Sequence, residues 1–142
     1  YFGRKDAQQA VVLQHMVRDL DMPVDIRVIP TMREDDGLAM SSRNTYLSAG
    51  DRKKALRIFQ ALKAAGEEYI REEKEVQEII MAASEFLIKE PGIDLDYFSV
   101  VDPWTLQEVS DMGRDVLIAA AAQVGGARLI DNVVVLNGKL ET

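Results

Sequence analysis

The 142-residue sequence contains no cysteine and a single histidine, His15. The first absence excludes disulfides, Cys-ligated zinc, iron–sulfur clusters and a thiol nucleophile, and the second excludes any centre built on two or more histidine ligands. The cysteine pattern gives no redox compartment, so cytoplasm stands as the default. Long apolar runs are missing as well. The longest, Val116 to Ala122, has seven residues, against the roughly twenty that a membrane-spanning helix needs. Basic residues are the minority, 17 against 24 acids for a net charge of −7, so the overall field repels nucleic acid and anionic membranes.

What is present is a chain of one ordinary domain's size, 47% hydrophobic, enough to bury a core without covalent staples. The chain opens Tyr1-Phe2-Gly3-Arg4 at what reads as the end of a strand, with no methionine and no signal-peptide pattern. The expectation is that residue 1 is not the start of the gene product.

Ala10, Leu13, Val17 and Leu20 recur at helical spacing over Lys5 to Leu20, and Asp21-Met22-Pro23 ends that helix. Val24, Ile26 and Val28 then alternate as a strand. Turn, helix and strand in this order make one step of a parallel α/β sheet. Pro30 to Tyr46 has neither period and reads as a long functional or disordered loop. Ser48, with Asp51 three residues on, opens a helix carrying Ala55, Ile58, Phe59, Leu62, Ala65 and Tyr69 on one face. A charged run from Glu67 to Glu75 interrupts it, and Val76, Ile79, Ile80, Ala83, Phe86 and Leu87 begin a second helix that Pro91-Gly92 closes. The two helices are expected to form a hairpin.

Three strands follow, at Leu95 to Val101, Val116 to Val124 and Leu129 to Leu136, the last two joined at Gly125-Gly126 and paired antiparallel. Trp104 and Leu106 are expected to pack on the sheet, and the polar end, Asn137 to Thr142, to fray. The fold class is therefore α+β, a helical hairpin on a small antiparallel sheet over residues 31–142, preceded over 1–30 by a helix–strand unit of α/β type.

Two polar clusters lack an obvious structural duty. Gly3-Arg4-Lys5-Asp6, with Gln8 and Gln9, sits where a strand hands over to a helix, the position at which open α/β sheets bind ligands. Free N–H groups and Lys5 favour an anion there, and Gln9 lies one turn from Lys5. A solvated first turn is the competing reading. Asp35-Asp36-Gly37 followed by Met40-Ser41-Ser42-Arg43-Asn44 joins hydroxyls, amides and a guanidinium fork, a set suited to phosphate oxygens. Its competitor is a surface turn with a helix cap. Neither cluster is a Walker A or G-x-G-x-x-G motif. His15 has no partner at one-turn spacing, and Asp94, Asp96, Asp102, Asp111 and Asp115 lack calcium-loop spacing, so they read as turn formers and no metal ligands are assigned. The six methionines are too dispersed for a cofactor box.

In order, Phe2-Gly3-Arg4-Lys5-Asp6 with Gln8-Gln9, Val17-Arg18-Asp19-Leu20, Arg33-Glu34, the run Asp36 to Leu47, and Ala127-Arg128-Leu129-Ile130-Asp131-Asn132 closely resemble the pantothenate synthetase (pantoate-β-alanine ligase) family. The resemblance covers essentially the whole sequence and implies a C-terminal portion. The preceding Rossmann-like nucleotide-binding domain, with its two-histidine loop, would be represented only by residues 1–30, and 31–142 would be the lid domain. It further implies an ATP-dependent, AMP-forming ligase that uses magnesium, joins pantoate to β-alanine through pantoyl adenylate, and works as a cytoplasmic homodimer.

By the same resemblance, Lys5 and Arg43 are the cations offsetting phosphate charge, and Ser41 and Ser42 form a phosphate loop similar to that of class I aminoacyl-tRNA synthetases. Gly3, Arg4, Lys5, Asp6, Met32, Met40, Ser41, Ser42 and Arg43 line the ATP site, Asp6 reaching the ribose, and Gln9 binds pantoate. The chain departs from the family at Arg4, commonly glutamate, and at Ala7, commonly aromatic. Without the histidine loop, the 142-residue chain alone is expected to be inactive, and its first helix, made for a larger sheet, is expected to drive self-association. Two other readings remain open: a different adenylate-forming or nucleotidyl-transferring enzyme, and a noncatalytic interaction module using the acidic helix face.

Overall fold

The elements fall in the order β1 (Phe2–Gly3), α1 (Ala7–Asp19), β2 (Val28–Ile29), α2 (Ala49–Arg71), α3 (Val76–Ile88), β3 (Ile93–Val101), β4 (Val116–Val124), β5 (Ala127–Leu136) and β6 (Lys139–Glu141). They are taken from a computed structural model that describes residues 1–142. Strands β3 to β6 form one antiparallel sheet in sequential order. The β4–β5 hairpin turns at Gly125 and Gly126, both at positive φ, and a Cβ at Gly125 would lie 2.6 Å from the Asp51 carboxyl group. That glycine lets the turn pass against the first turn of α2.

One face of the sheet carries Phe98, Val100, Val116, Ile118, Ala120, Ala122, Val124, Leu129, Val133 and Val135 into the core. The hairpin of α2 and α3 covers that face with Ile58, Leu62, Ala65, Tyr69, Val76, Ile79, Ala83 and Leu87. This helical hairpin on an antiparallel sheet is the arrangement that the periodicities predict. The Ser48 hydroxyl accepts the Asp51 N–H at 3.1 Å, so the expected cap is in place. Tyr69 anchors the far end of α2, its hydroxyl donating to the carbonyls of Asp111 and Arg114 at 3.3 and 3.1 Å.

Three expectations need correction. The C-terminal residues do not fray. Asn137 and Gly138 both take positive φ, making a tight turn that lays β6 on β5 and seats Leu140 against the core. Asn-Gly was the available signal. The strand expected from Val24 is only Val28–Ile29, because β1 offers just two residues to pair with it. Trp104 does not pack on the sheet: Asp102 caps the amides of Trp104 and Thr105 at 2.9 Å, and the turn leaves the indole 62% exposed. Of the α1 stripe, Ala10 is buried beside Val11, Leu13 and Val17 are half-buried, and Leu20 is 67% exposed. The chain places no second helix or broad sheet against that stripe.

Candidate active site

The loop from Pro30 to Leu47 is irregular but extensively cross-linked. Met40 N–H reaches Met32 carbonyl at 2.9 Å, and Glu34 N–H reaches Leu38 carbonyl at 2.8 Å, closing a turn over Asp36-Gly37. Gly37 has φ +96°, and a Cβ there would meet the Phe59 ring at 2.8 Å, so only glycine fits this approach to α2. Arg52 of α2 holds the turn from outside, donating to Glu34 and to Asp36, both at 2.7 Å. The Glu34 carboxyl is held below its ordinary value chiefly by the hydrogen bond from Arg52. Asp36 is lowered first by the Leu38 amide and then by Arg52. Asn44 donates to Glu34 at 2.9 Å and to the Ala39 carbonyl at 3.0 Å, tying the short 3-10 turn Ser42–Tyr46 to the same knot.

Beneath this knot Arg33 is largely buried. Its guanidinium grips Asp131 of β5 at 2.7 and 3.1 Å, donates to the Gly37 and Asn132 carbonyls, and lies 3.9 Å over the Phe59 ring. Burial pushes the Asp131 carboxyl above its ordinary value, against the opposing pull of Arg33. Next along β5, the Asn132 amide donates to the carbonyls of Arg4 and Lys5 at 2.9 and 3.0 Å, fixing the 3-10 turn Arg4–Asp6 between β1 and α1.

Two cavities result. One, of about 360 Å³, is lined by Gly3, Lys5, Asp6, Thr31, Met32, Met40, Ser41, Ser42 and Arg43, together with Ile29 and Pro30. It brings together every residue expected at the nucleotide except Arg4. The Arg4 side chain turns away to pair with Glu141 of β6 at 2.8 Å. The other, a cleft of about 440 Å³, lies over the outer face of the sheet, with Lys5 and Gln9 on one wall and Tyr97, Ser99, Leu117, Ala119 and Ile130 on the other. Lys5 borders both, and also a gap of about 20 Å³ that it shares with Ser41, Arg43 and Arg128.

The Lys5 side chain is only 15% exposed and its ammonium stands 4.0 Å from the Asp6 carboxylate, while the Arg43 guanidinium has no carboxylate partner. Ser41 accepts the Arg43 N–H at 3.2 Å, which shapes the turn. Two cations and two hydroxyls around one cavity can receive a polyanion. No group of three or more histidine or acidic side chains could hold a metal ion. His15 borders neither cavity.

The sequence pattern placed Asn44 in the phosphate-suited cluster, and Arg33, Asp131 and Asn132 carried the family resemblance only, while Arg52 carried no expectation; these are the side chains that hold this arrangement. The available signal was Asp131-Asn132, a polar pair inside an otherwise apolar strand.

A family model described as pantoate-beta-alanine ligase matches residues 1–134. Pantothenate synthetase of Thermotoga petrophila is 47% identical over 134 residues, covering 94% of this chain and 48% of that relative. That of Herpetosiphon aurantiacus is 47% identical over 135 residues, covering 94% and 49%. The crystal structure of pantothenate synthetase from Thermus thermophilus superposes with TM-score 0.86 at 45% identity, covering 93% of this chain and 48% of that one. A pantoate-beta-alanine ligase from Francisella tularensis, complexed with beta-gamma ATP and beta-alanine, matches with TM-score 0.57 at 27% identity over 93% of this chain and 41% of that one. This chain thus spans about half the length of the curated relatives it matches. The family-model match over nearly all of its residues, with these relatives, means that the chain belongs to the pantoate-beta-alanine ligase family.

Proposed function

We propose that this chain supplies the lid and part of the nucleotide site of a ligase that joins pantoate to β-alanine. ATP and pantoate would give pantoyl adenylate and pyrophosphate, and β-alanine would then displace AMP to leave pantothenate. The observation that carries this reading is the shared cavity: Lys5 and Asp6 from one end of the chain meet Met40, Ser41, Ser42 and Arg43 from the loop around about 360 Å³.

Chemically, adenylation brings an anionic carboxylate to an anionic α-phosphate and releases pyrophosphate, so charge crowding dominates the barrier. Lys5 and Arg43 offset it by preorganised positive charge. Ser41, Ser42 and nearby backbone amides receive phosphate oxygens, Met32 and Met40 flank the nucleotide, and Asp6 reaches the ribose. Gln9, across Lys5 in the adjoining cleft, positions pantoate, and holding both anions still is an entropic contribution. Arg4 contributes backbone only. Magnesium would arrive on the ATP phosphates rather than in a protein cage, as is common for this cation.

Residues 1–30 are read as a helix–strand unit of a Rossmann-like domain, and 31–142 as the lid. The parallel pairing of Phe2–Gly3 with Val28–Ile29 across α1 supports that division. The whole protein would be a cytoplasmic homodimer. No helix here is long and apolar enough to cross a membrane.

ATP titration of the 142-residue chain, followed by amide NMR, tests the reading. Shifts should cluster at Gly3 to Asp6 and Met40 to Arg43 and weaken by about tenfold in affinity in Lys5→Ala or Arg43→Ala, the loss of one charge-assisted contact. The chain alone should show no pantoate-driven ATP–pyrophosphate exchange. Shifts elsewhere, or unchanged affinity in both variants, would favour a noncatalytic module.

A further inference from the structure

We infer that Asp131 and Asn132 are paired positioning residues, one strand position apart, that set the distance between the Lys5 turn and the Ser41–Arg43 turn. The inference rests on the reading of those two turns as the phosphate-facing parts of the site.

Successive side chains of a strand point to opposite faces of its sheet, so neighbours on β5 reach in opposite directions. Asn132, 3% exposed, spends both hydrogens of its amide on the carbonyls of Arg4 and Lys5. Asp131, 6% exposed, spends both oxygens on Arg33, which in turn fixes the Gly37 carbonyl and the base of the loop. From there the Met40–Met32 backbone bond carries the constraint to Ser41. The pair is itself locked, since the Asn132 N–H donates to Asp131 at 2.8 Å.

Each turn is otherwise short and irregular. What keeps their separation constant is a single peptide of a strand whose flanking Leu129, Val133 and Val135 are packed in the core. Lys5 and Arg43 therefore need not touch each other to be held in register. The device places two cations around one cavity without letting their mutual repulsion spread the loops.

Amide hydrogen exchange on the chain without nucleotide tests this directly. Asn132→Ala should speed exchange of Ala7 to Gln9 by about tenfold or more, the loss of one to two buried hydrogen bonds, and leave Met40, Asn44 and Leu47 unchanged. Asp131→Asn, which keeps shape and drops the charge, should do the reverse. Should Asn132→Ala fail to fold, Asn132→Ser, which retains one shorter donor, should show the same selective pattern at smaller amplitude. Uniform acceleration across β3, β4 and both turns, or no change at either turn, overturns the inference.

ATP affinity adds a second readout. Asn132→Ala should weaken it about tenfold in the native background and less than about twofold when Lys5→Ala is already present, because the effect acts through Lys5. Equal losses in both backgrounds count against positioning. A native chain that takes up no ATP removes the nucleotide reading, while the exchange pattern still decides whether the pair positions the turns.

Discussion

The chain before Ser48 and the chain after it are held together by different physics. Of the 34 buried residues only five, Ala10, Val11, Thr31, Leu38 and Ala39, come before Ser48. The later part is an apolar sandwich of hairpin and sheet. The earlier part is fastened by Arg33–Asp131, Asn132 and the Glu34–Asp36–Arg52 knot. Precision here comes from the pairing of the two: the core supplies a rigid strand, and directional polar contacts hang two cation-bearing turns from it. Apolar burial tolerates sliding, whereas a bidentate guanidinium–carboxylate pair fixes one geometry.

The largest effect is expected in the core. Leu62→Ala, at a fully buried position, should cost about 4 kcal/mol and destabilise both parts together in urea unfolding, because the loops have no scaffold of their own. Next, Arg33→Ala should cost about 3 kcal/mol by stranding a buried carboxylate. It should also bring early, local opening of the Pro30–Leu47 loop in hydrogen exchange, with the β4–β5 hairpin the last to open.

Tyr69→Phe should cost about 1 kcal/mol in global unfolding, leaving two carbonyls without the hydroxyl and the loop untouched. The smallest effect is acidification. Glu34 and Asp36 have lowered folded values, so their contribution is present above the ordinary carboxylate range and lost as pH falls through the folded values. Protection at Leu38 and Met40, corrected for the intrinsic pH dependence of amide exchange, should be lost as pH falls below the ordinary carboxylate range, before the core amides respond. If core and loop loosen together on acidification, the division between the two parts fails.

Much of this was legible in advance. The stripes on α2 and α3 and the length of β4 followed from periodicity, because those faces bury against one another within the chain. The α1 stripe has the right spacing, yet only Ala10 of it is buried, with Leu13 and Val17 half-buried and Leu20 exposed, because little of the chain lies against that face. β6 was missed although Asn137-Gly138 was visible, because polar composition outweighed turn chemistry in the reading. The two clusters at Lys5 and Ser41 were conspicuous for having no structural duty, but their supports were not. Arg33 and Asp131 are 98 positions apart, and nothing local links them.

The hairpin, the antiparallel strands, the family and the two cation-bearing turns are written in local spacing and residue type. Tertiary packing set the rest: Arg4 turns to Glu141 and away from the cavity, Lys5 borders both clefts, and the adjacent Asp131 and Asn132 hold Arg33 at the base of the loop and the carbonyls of the Lys5 turn. Those outcomes depend on which distant groups meet when the sheet closes on the hairpin, and such meetings are set by packing and hydrogen-bond satisfaction across the whole chain rather than by any window of it.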